Sequence, residues 1–420
     1  MDRMHFPNRE PNDTARVRRV RQRRKKVKNQ DILLCSPVRT AIGAFNGALK
    51  SIPATELGAT VVREVVNRSC ISPERIAAVI MGNVVQAGTG MNPARQASIG
   101  AGVPVSVPAM TVNRVCGSGA QAIVSAAQQI AMGDGDLLIA GGMENMERAP
   151  YLLDGGRWGY RMGAAEIHDS MLRDGLDDAF SGMHSGWHTE DLVSMFGLGR
   201  NELDAFSVES QQRFVNAQRN GKFKDEIVTV MLRQKKDVVP FDVDEAPRPD
   251  TTMEGLAALR PAFRPDGHIT AGNSPGLNSG AAAVAVASRA FADANGLEPV
   301  ARLVAYGVAA VEPGMFGLGP VPAIRIALER ANWTLPDVER FEINEAFAAV
   351  PLAVAKSLEI PRDVLNIEGG AVAHGHPIGA TGAILTVRLL HSMRRDGLRR
   401  GIVSLCIGGG QGIALALEML

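Results

Sequence analysis

Only four cysteines are scattered through the 420 residues, at 35, 70, 116 and 406, and no two are spaced Cys-x-x-Cys. This excludes a disulfide framework and argues against a structural zinc site. Each thiol is therefore either a buried filler or a reactive group. Aromatic residues are 5% of the chain, so a core must be built from Ala, Val, Ile and Leu. No unbroken apolar run approaches the roughly 18 residues of a membrane-spanning helix, so a soluble protein is expected. A phosphate-binding loop is missing too: the only Gly-Lys pair, Gly221-Lys222, runs into Phe223.

Charge is nearly balanced, at +1, yet unevenly placed. Residues 1–30 hold 11 Lys and Arg against 3 Asp and Glu, while the rest of the chain holds 34 against 41. The basic segment contains Arg23-Arg24-Lys25-Lys26, has no apolar stretch of a secretory signal, and carries Thr14 as its only hydroxyl side chain. A solvated, disordered extension is expected, with an arm for nucleic acid or an anionic surface as the alternative. The folded part should begin near Asp31. A cytoplasmic location is expected, an organellar transit peptide being the other reading of the extension.

From Asp31 onward the chain alternates short β-type runs with helical stretches. Asp31–Cys35, Ile76–Met81, Ala109–Val115 and Asp136–Ala140 read as strands; Thr55–Asn67, Pro93–Ile99 and Gly119–Met132 read as helices. Such alternation predicts a mostly parallel, helix-covered α/β sheet. Residues from about 150 to 276 differ, holding two of the three Trp and two of the three Tyr with few strand signals, as an insertion would. The chain then passes through Thr270–Gly280 into an Ala-rich segment, Ala281–Ala287, read as a helix. Beyond about 299 the alternation resumes. Both regular parts carry a helix, a β run and then a cysteine followed by glycines, which fits an internal duplication; coincidence in an Ala-rich chain is the alternative.

The chemistry concentrates at those cysteines. Cys116-Gly-Ser-Gly places a thiol between a strand and a helix, where amides and the positive helix end should lower its pKa; the alternative is a buried structural cysteine. Cys406-Ile-Gly-Gly-Gly-Gln-Gly offers backbone amides for an oxyanion, or simply a tight turn. Gly369–Gly382 presents His374 and His376, either of which could take a thiol proton; no carboxylate or cysteine spacing completes a metal site around them. Asn344 stands at a strand-to-helix junction, as an N-cap or as a group orienting a water or substrate oxygen. His184 and His188 are four apart without the Glu of a zincin, and are expected at the surface.

Val112-Asn-Arg-Val-Cys-Gly-Ser-Gly, Asn344-Glu-Ala-Phe, His374-Gly-His-Pro-Ile-Gly-Ala-Thr-Gly and Cys406-Ile-Gly-Gly-Gly-Gln-Gly, in this order, resemble the signature blocks of thiolases. The resemblance runs from about Asp31 to Leu420. It implies two βαβαβαββ halves in a five-layered αβαβα core with an inserted loop domain. The corresponding division is a disordered basic extension at 1–30, an N-terminal half of 31–146 plus 277–298, a loop domain at 147–276 and a C-terminal half at 299–420.

By the same resemblance Cys116 is the acyl-carrying nucleophile, His376 its base, and Cys406 the thiol that moves the α-proton. Asn344 is the residue holding a water that, with His376, stabilises the enolate oxygen, and the amides of Cys116 and Gly408 form a second oxyanion hole. Arg161-Met-Gly, Asp169–Phe180 and Leu259–Phe263 resemble the short-chain, acetoacetyl-CoA type, in which His184, Arg248, Phe263 and Ser274 would contact CoA. The implied reaction is reversible condensation of two acetyl-CoA to acetoacetyl-CoA and CoA. No cofactor or metal is implied, since CoA thioesters are the substrates, and a homo-oligomer, dimer or tetramer, is implied. Alternatives are a degradative thiolase for longer 3-ketoacyl-CoA and a non-catalytic CoA- or lipid-binding relative. β-Ketoacyl synthases share the fold but lack a second cysteine like Cys406.

The chain departs from the family pattern at Ser185, where a methionine is common, at Pro275, which replaces a serine, at Glu368, which replaces an asparagine, and at Phe316, another methionine position. A smaller Ser185 would enlarge the acyl pocket and Phe316 would reshape it.

Overall fold

The computed structural model describes residues 31–234 and 237–420. The basic extension lies outside them. The first regular part runs β1 (Ile32–Thr40), α1 (Ala54–Ser69), β2 (Ala78–Gly82), α2 (Pro93–Gly100), β3 (Ala109–Val112), α3 (Ser118–Met132) and β4 (Leu137–Asn145). The intervening segment carries α4 (Ser185–Phe196) and α5 (Arg200–Arg219). Then come β5 (Asn278–Ser288), β6 (Pro299–Ala310), α6 (Pro320–Ala331), β7 (Arg340–Ile343), α7 (Ala349–Leu358), α8 (Ile378–Asp396), β8 (Arg400–Ile407) and β9 (Gln411–Met419).

The strands form one sheet in the order β7-β8-β9-β6-β1-β5-β4-β2-β3. Its two ends correspond: β1-β5-β4-β2-β3 is repeated as β6-β9-β8-β7, with Leu365, bridged to Phe341, standing for the missing outer strand. The duplication is real but not in the register that aligned the two cysteines, since Cys116 lies between β3 and α3 while Cys406 lies in β8, the counterpart of β4; the copies meet where β1 pairs antiparallel with β6. The sheet is mixed rather than mostly parallel. β2–β3, β2–β4 and β7–β8 are parallel, while β4–β5, β1–β5, β6–β9 and β8–β9 are antiparallel. In each half the last two strands pair antiparallel, β4 with β5 across the inserted segment and β8 with β9 through a tight turn.

The Ala-rich segment is the other correction. Ala281–Ala287 lies inside strand β5, every residue of which is buried. Flanked by β1 and β4, it has both faces covered, so its pattern is a continuous small apolar run, and sheet pairing overrides alanine's helical preference.

Three apolar clusters define the layers. One packs α1 and α2 on the first half-sheet, one packs α6 and α7 on the second, and the largest fills the space around α3 and α8 between them. That gives helix, sheet, helix, sheet, helix. The central helices touch closely: a Cβ on Gly382 would lie 2.4 Å from the Ala120 amide nitrogen, and one on Gly119 2.6 Å from that of Ala383. The inserted segment is fastened by the fully buried Arg39 of β1. Its guanidinium donates to Glu226 Oε1 at 2.7 Å and, in a fork, to Asp244 Oδ1 and Oδ2 at 2.7 and 2.8 Å. Among the described residues no helix is long and apolar enough to cross a membrane.

Candidate active site

Between β3 and α3 the chain makes a strained turn. Val115, a β-branched residue, has φ 44°. Asn113 Oδ1 accepts from the Val115 amide at 2.9 Å; Ser118 Oγ accepts from the Arg114 amide at 2.8 Å and donates to the Val115 carbonyl at 2.7 Å. The turn leaves Cys116 at the amino end of α3, half-buried, with the amides of Gly408 and of Cys116 itself reaching its sulfur. The expected lowering of its pKa is overturned. Burial outweighs those amides and, with the nearby Glu144 carboxylate adding, pushes the thiol up to about 11. The resting group is a thiol.

Gly408–Gly410 is both things the sequence allowed. It is the tight turn between β8 and β9, with φ near +80° at Gly409 and Gly410, and it also presents the Gly408 amide to Cys116. Cys406, at the end of β8, is buried behind it; burial first, then the neighbouring Cys116, hold its thiol well above the ordinary range.

Asn344 is not an N-cap. Its amide donates to the Ser404 carbonyl at 2.9 Å, continuing β7 past Ile343, and α7 starts only at Ala349. Its Nδ2 lies 3.3 Å from His376 Nε2, and its buried Oδ1 has no protein partner among the described residues. His376 is set just before α8. Its amide donates to Asn278 Oδ1 at 3.0 Å, its Nδ1 lies 2.7 Å from Thr381 Oγ1, and burial brings its pKa down to about 4. His374 points elsewhere. Its ring, fully buried, packs 5.4 Å from that of Phe214, and neither nitrogen has a partner among the described residues. Burial first, then Arg388 and Arg39, hold it neutral.

These groups open on a cavity of about 390 Å³ that Cys116, His376 and Gly408 line at one end. His184, Ser185, His188, Phe263, Ser274, Pro275 and Phe316 line the rest. The expectation that His184 and His188 are surface residues fails, because α4 packs its first turns against the segment Pro313–Leu318 and turns both rings inward. His184 caps α4, its Nδ1 accepting from the Gly186 amide at 3.0 Å, and stacks on Phe263 with centroids 4.6 Å apart. Arg248 is not in this cavity. It lines an adjoining hollow of about 330 Å³ that shares Ser274, Gly276 and Leu277 with it. Glu368 lies outside both, paired with Lys222 and Arg395.

Sequence reasoning missed three supports. Glu144 accepts from the amides of Val84, Val85 and Gly379 and from Asn83 Nδ2, tying β4 to the start of α8. Burial raises its pKa to about 7 against those donors. Asn278 and Thr381 hold His376. Only Thr381 had a signal, its place within the His374–Gly382 block.

The chain matches the family described as "Thiolase, N-terminal domain" over residues 32–290 and "Thiolase, C-terminal domain" over 297–419. It is 50% identical over 389 residues to an acetyl-CoA acetyltransferase of Chromobacterium violaceum, covering 92% of this chain and 99% of that protein. It is 46% identical to the cytosolic acetyl-CoA acetyltransferase of Mus musculus, covering 92% and 98%. The crystal structure of the Bacillus anthracis acetyl-CoA acetyltransferase superposes with a TM-score of 0.91 at 43% identity, over 93% of this chain and 99% of that one.

Proposed function

The chain belongs to the thiolase family, and from that premise we propose that it is an acetyl-CoA C-acetyltransferase, joining two acetyl-CoA into acetoacetyl-CoA and CoA and running the thiolysis in reverse. The observation that carries this reading is the convergence of Cys116, His376 and the Gly408 amide on one cavity, with Cys406 and Asn344 directly behind. With a thiol near 11 and an imidazole near 4, the resting pair is neutral. Proton transfer from Cys116 to His376 therefore accompanies attack on the thioester carbonyl rather than preceding it. The oxygen of the tetrahedral intermediate faces the amides of Cys116 and Gly408, and the CoA sulfur leaves with the proton from His376.

In the second half-reaction Cys406, having given up its own proton to solvent, removes an α-proton from a new acetyl-CoA. A water held by Asn344, together with His376, stabilises the enolate oxygen, the carbanion takes the acyl group from Cys116, and the Cys116 sulfur leaves with the proton that Cys406 gained. Residues 147–276 serve as the loop domain holding CoA, with His184, Phe263 and Ser274 along the reacting arm and Arg248 further out. No cofactor is needed. The hairpin joining Tyr151–Leu152 to His168–Asp169 exposes Tyr151, Trp158 and Met162, which supports a homo-oligomer; we place the enzyme in the cytoplasm.

The test is mass spectrometry after incubation with acetyl-CoA. Acetyl should map to Cys116 and be lost in Cys116→Ala; acetyl on another residue refutes the assignment. Thiolysis of acetoacetyl-CoA against longer 3-ketoacyl-CoA then separates the short-chain reading from the degradative one, which the small Ser185 in the cavity wall would favour.

A further inference from the structure

We propose that Thr381 is a positioning residue that fixes which ring nitrogen of His376 carries the proton. A threonine hydroxyl has one hydrogen. Here Oγ1 lies 2.9 Å from the Pro377 carbonyl, which can only accept, so the hydrogen is committed there. Towards His376 Nδ1, 2.7 Å away, Oγ1 can then only accept, and Nδ1 must be the N–H. A neutral imidazole has a single N–H, so Nε2 keeps its lone pair, and the Asn344 Nδ2 at 3.3 Å meets it as a donor.

The three contacts agree with one tautomer and oppose the other. The alternative would take the hydroxyl off the Pro377 carbonyl and turn the Asn344 amide over. Thr381 and Asn344 are fully buried, so water is a poor substitute partner for either. A threonine in a first helical turn bonding back four residues is ordinary; using its second lone pair to set a histidine is what this site adds. The inference rests on the reading of His376 as base.

Selective ¹⁵N-histidine labelling of the full chain, with Thr381→Val and Thr381→Ser, tests it. The wild type at pH 7 should show Nδ1 protonated and Nε2 bare, and Thr381→Val should shift His376 towards the other tautomer. Acetylation of Cys116 should fall on the order of 10- to 100-fold, with KM for acetyl-CoA within about threefold, because a wrong tautomer costs rate more than binding. Thr381→Ser should restore both. A wild-type His376 protonated on Nε2, a Thr381→Val that keeps tautomer and rate, or a Thr381→Ser that fails to rescue, overturns the proposal. A lost tautomer with an unchanged acetylation rate would leave Thr381 in this role and remove His376 as the base.

Discussion

Cys116 and Cys406 carry the same functional group but sit differently, and their environments divide the work. Cys116 reaches the cavity and two amides; Cys406 is enclosed behind it. Cys406→Ser should still become acetylated at Cys116, while turnover falls about 100- to 10,000-fold, the usual worth of a placed acid–base group. Near-normal condensation and thiolysis would sink that role. The histidines separate as cleanly. His376→Ala should suppress acetylation, whereas His374→Leu should leave its rate close to wild type. His374 also carries a pH signature. Its folded pKa lies below the unfolded one, so between the two the unfolded chain binds the extra proton, and stability falls as pH drops below about 6.5. Glu342, buried and raised to about 8, acts with the opposite sign, stabilising the fold as pH falls from there towards its unfolded value. Urea unfolding at pH 7.5 and 5 should therefore show a smaller acid loss in His374→Leu than in the wild type.

Among the elements, those legible in advance obey local rules. The strand-and-glycine turns around Cys116 and Gly408 announce themselves by composition, and their place in the site could be read from the motif blocks. Strand β5 could not, because alanine favours a helix until β1 and β4 cover both of its faces. The clamp of Arg39 on Glu226 and Asp244 joins residues about two hundred apart, and nothing local in any of the three points to the others. Likewise the tautomer of His376 is decided by the direction of one hydroxyl, which residue identity alone leaves open. The contact between α3 and α8 is testable at this level. Gly382→Ala drives a methyl into the backbone of Ala120, so it should cost roughly 1–3 kcal/mol, as overpacking does, and lower activity by separating the helices that carry Cys116 and His376. Gly199→Ala meets nothing within 4 Å and should cost less in the same thermal melt, only what alanine loses to glycine at the N-cap of α5.

Across the whole molecule, the two copies of the repeat supply different partners to one reaction. Cys116 precedes α3 in the first, and His376 precedes α8 in the second, at equivalent positions in the repeat. The copies are held in register along β1 and β6, where Ile32 faces Leu303 and Leu34 faces Ala301. A break in the polypeptide near residue 297 would leave that pairing and the central helix contact intact, while neither fragment alone would own both nucleophile and base. Co-expressed fragments 1–296 and 297–420 should thus assemble into an acetylating enzyme by fragment complementation, each being inactive by itself.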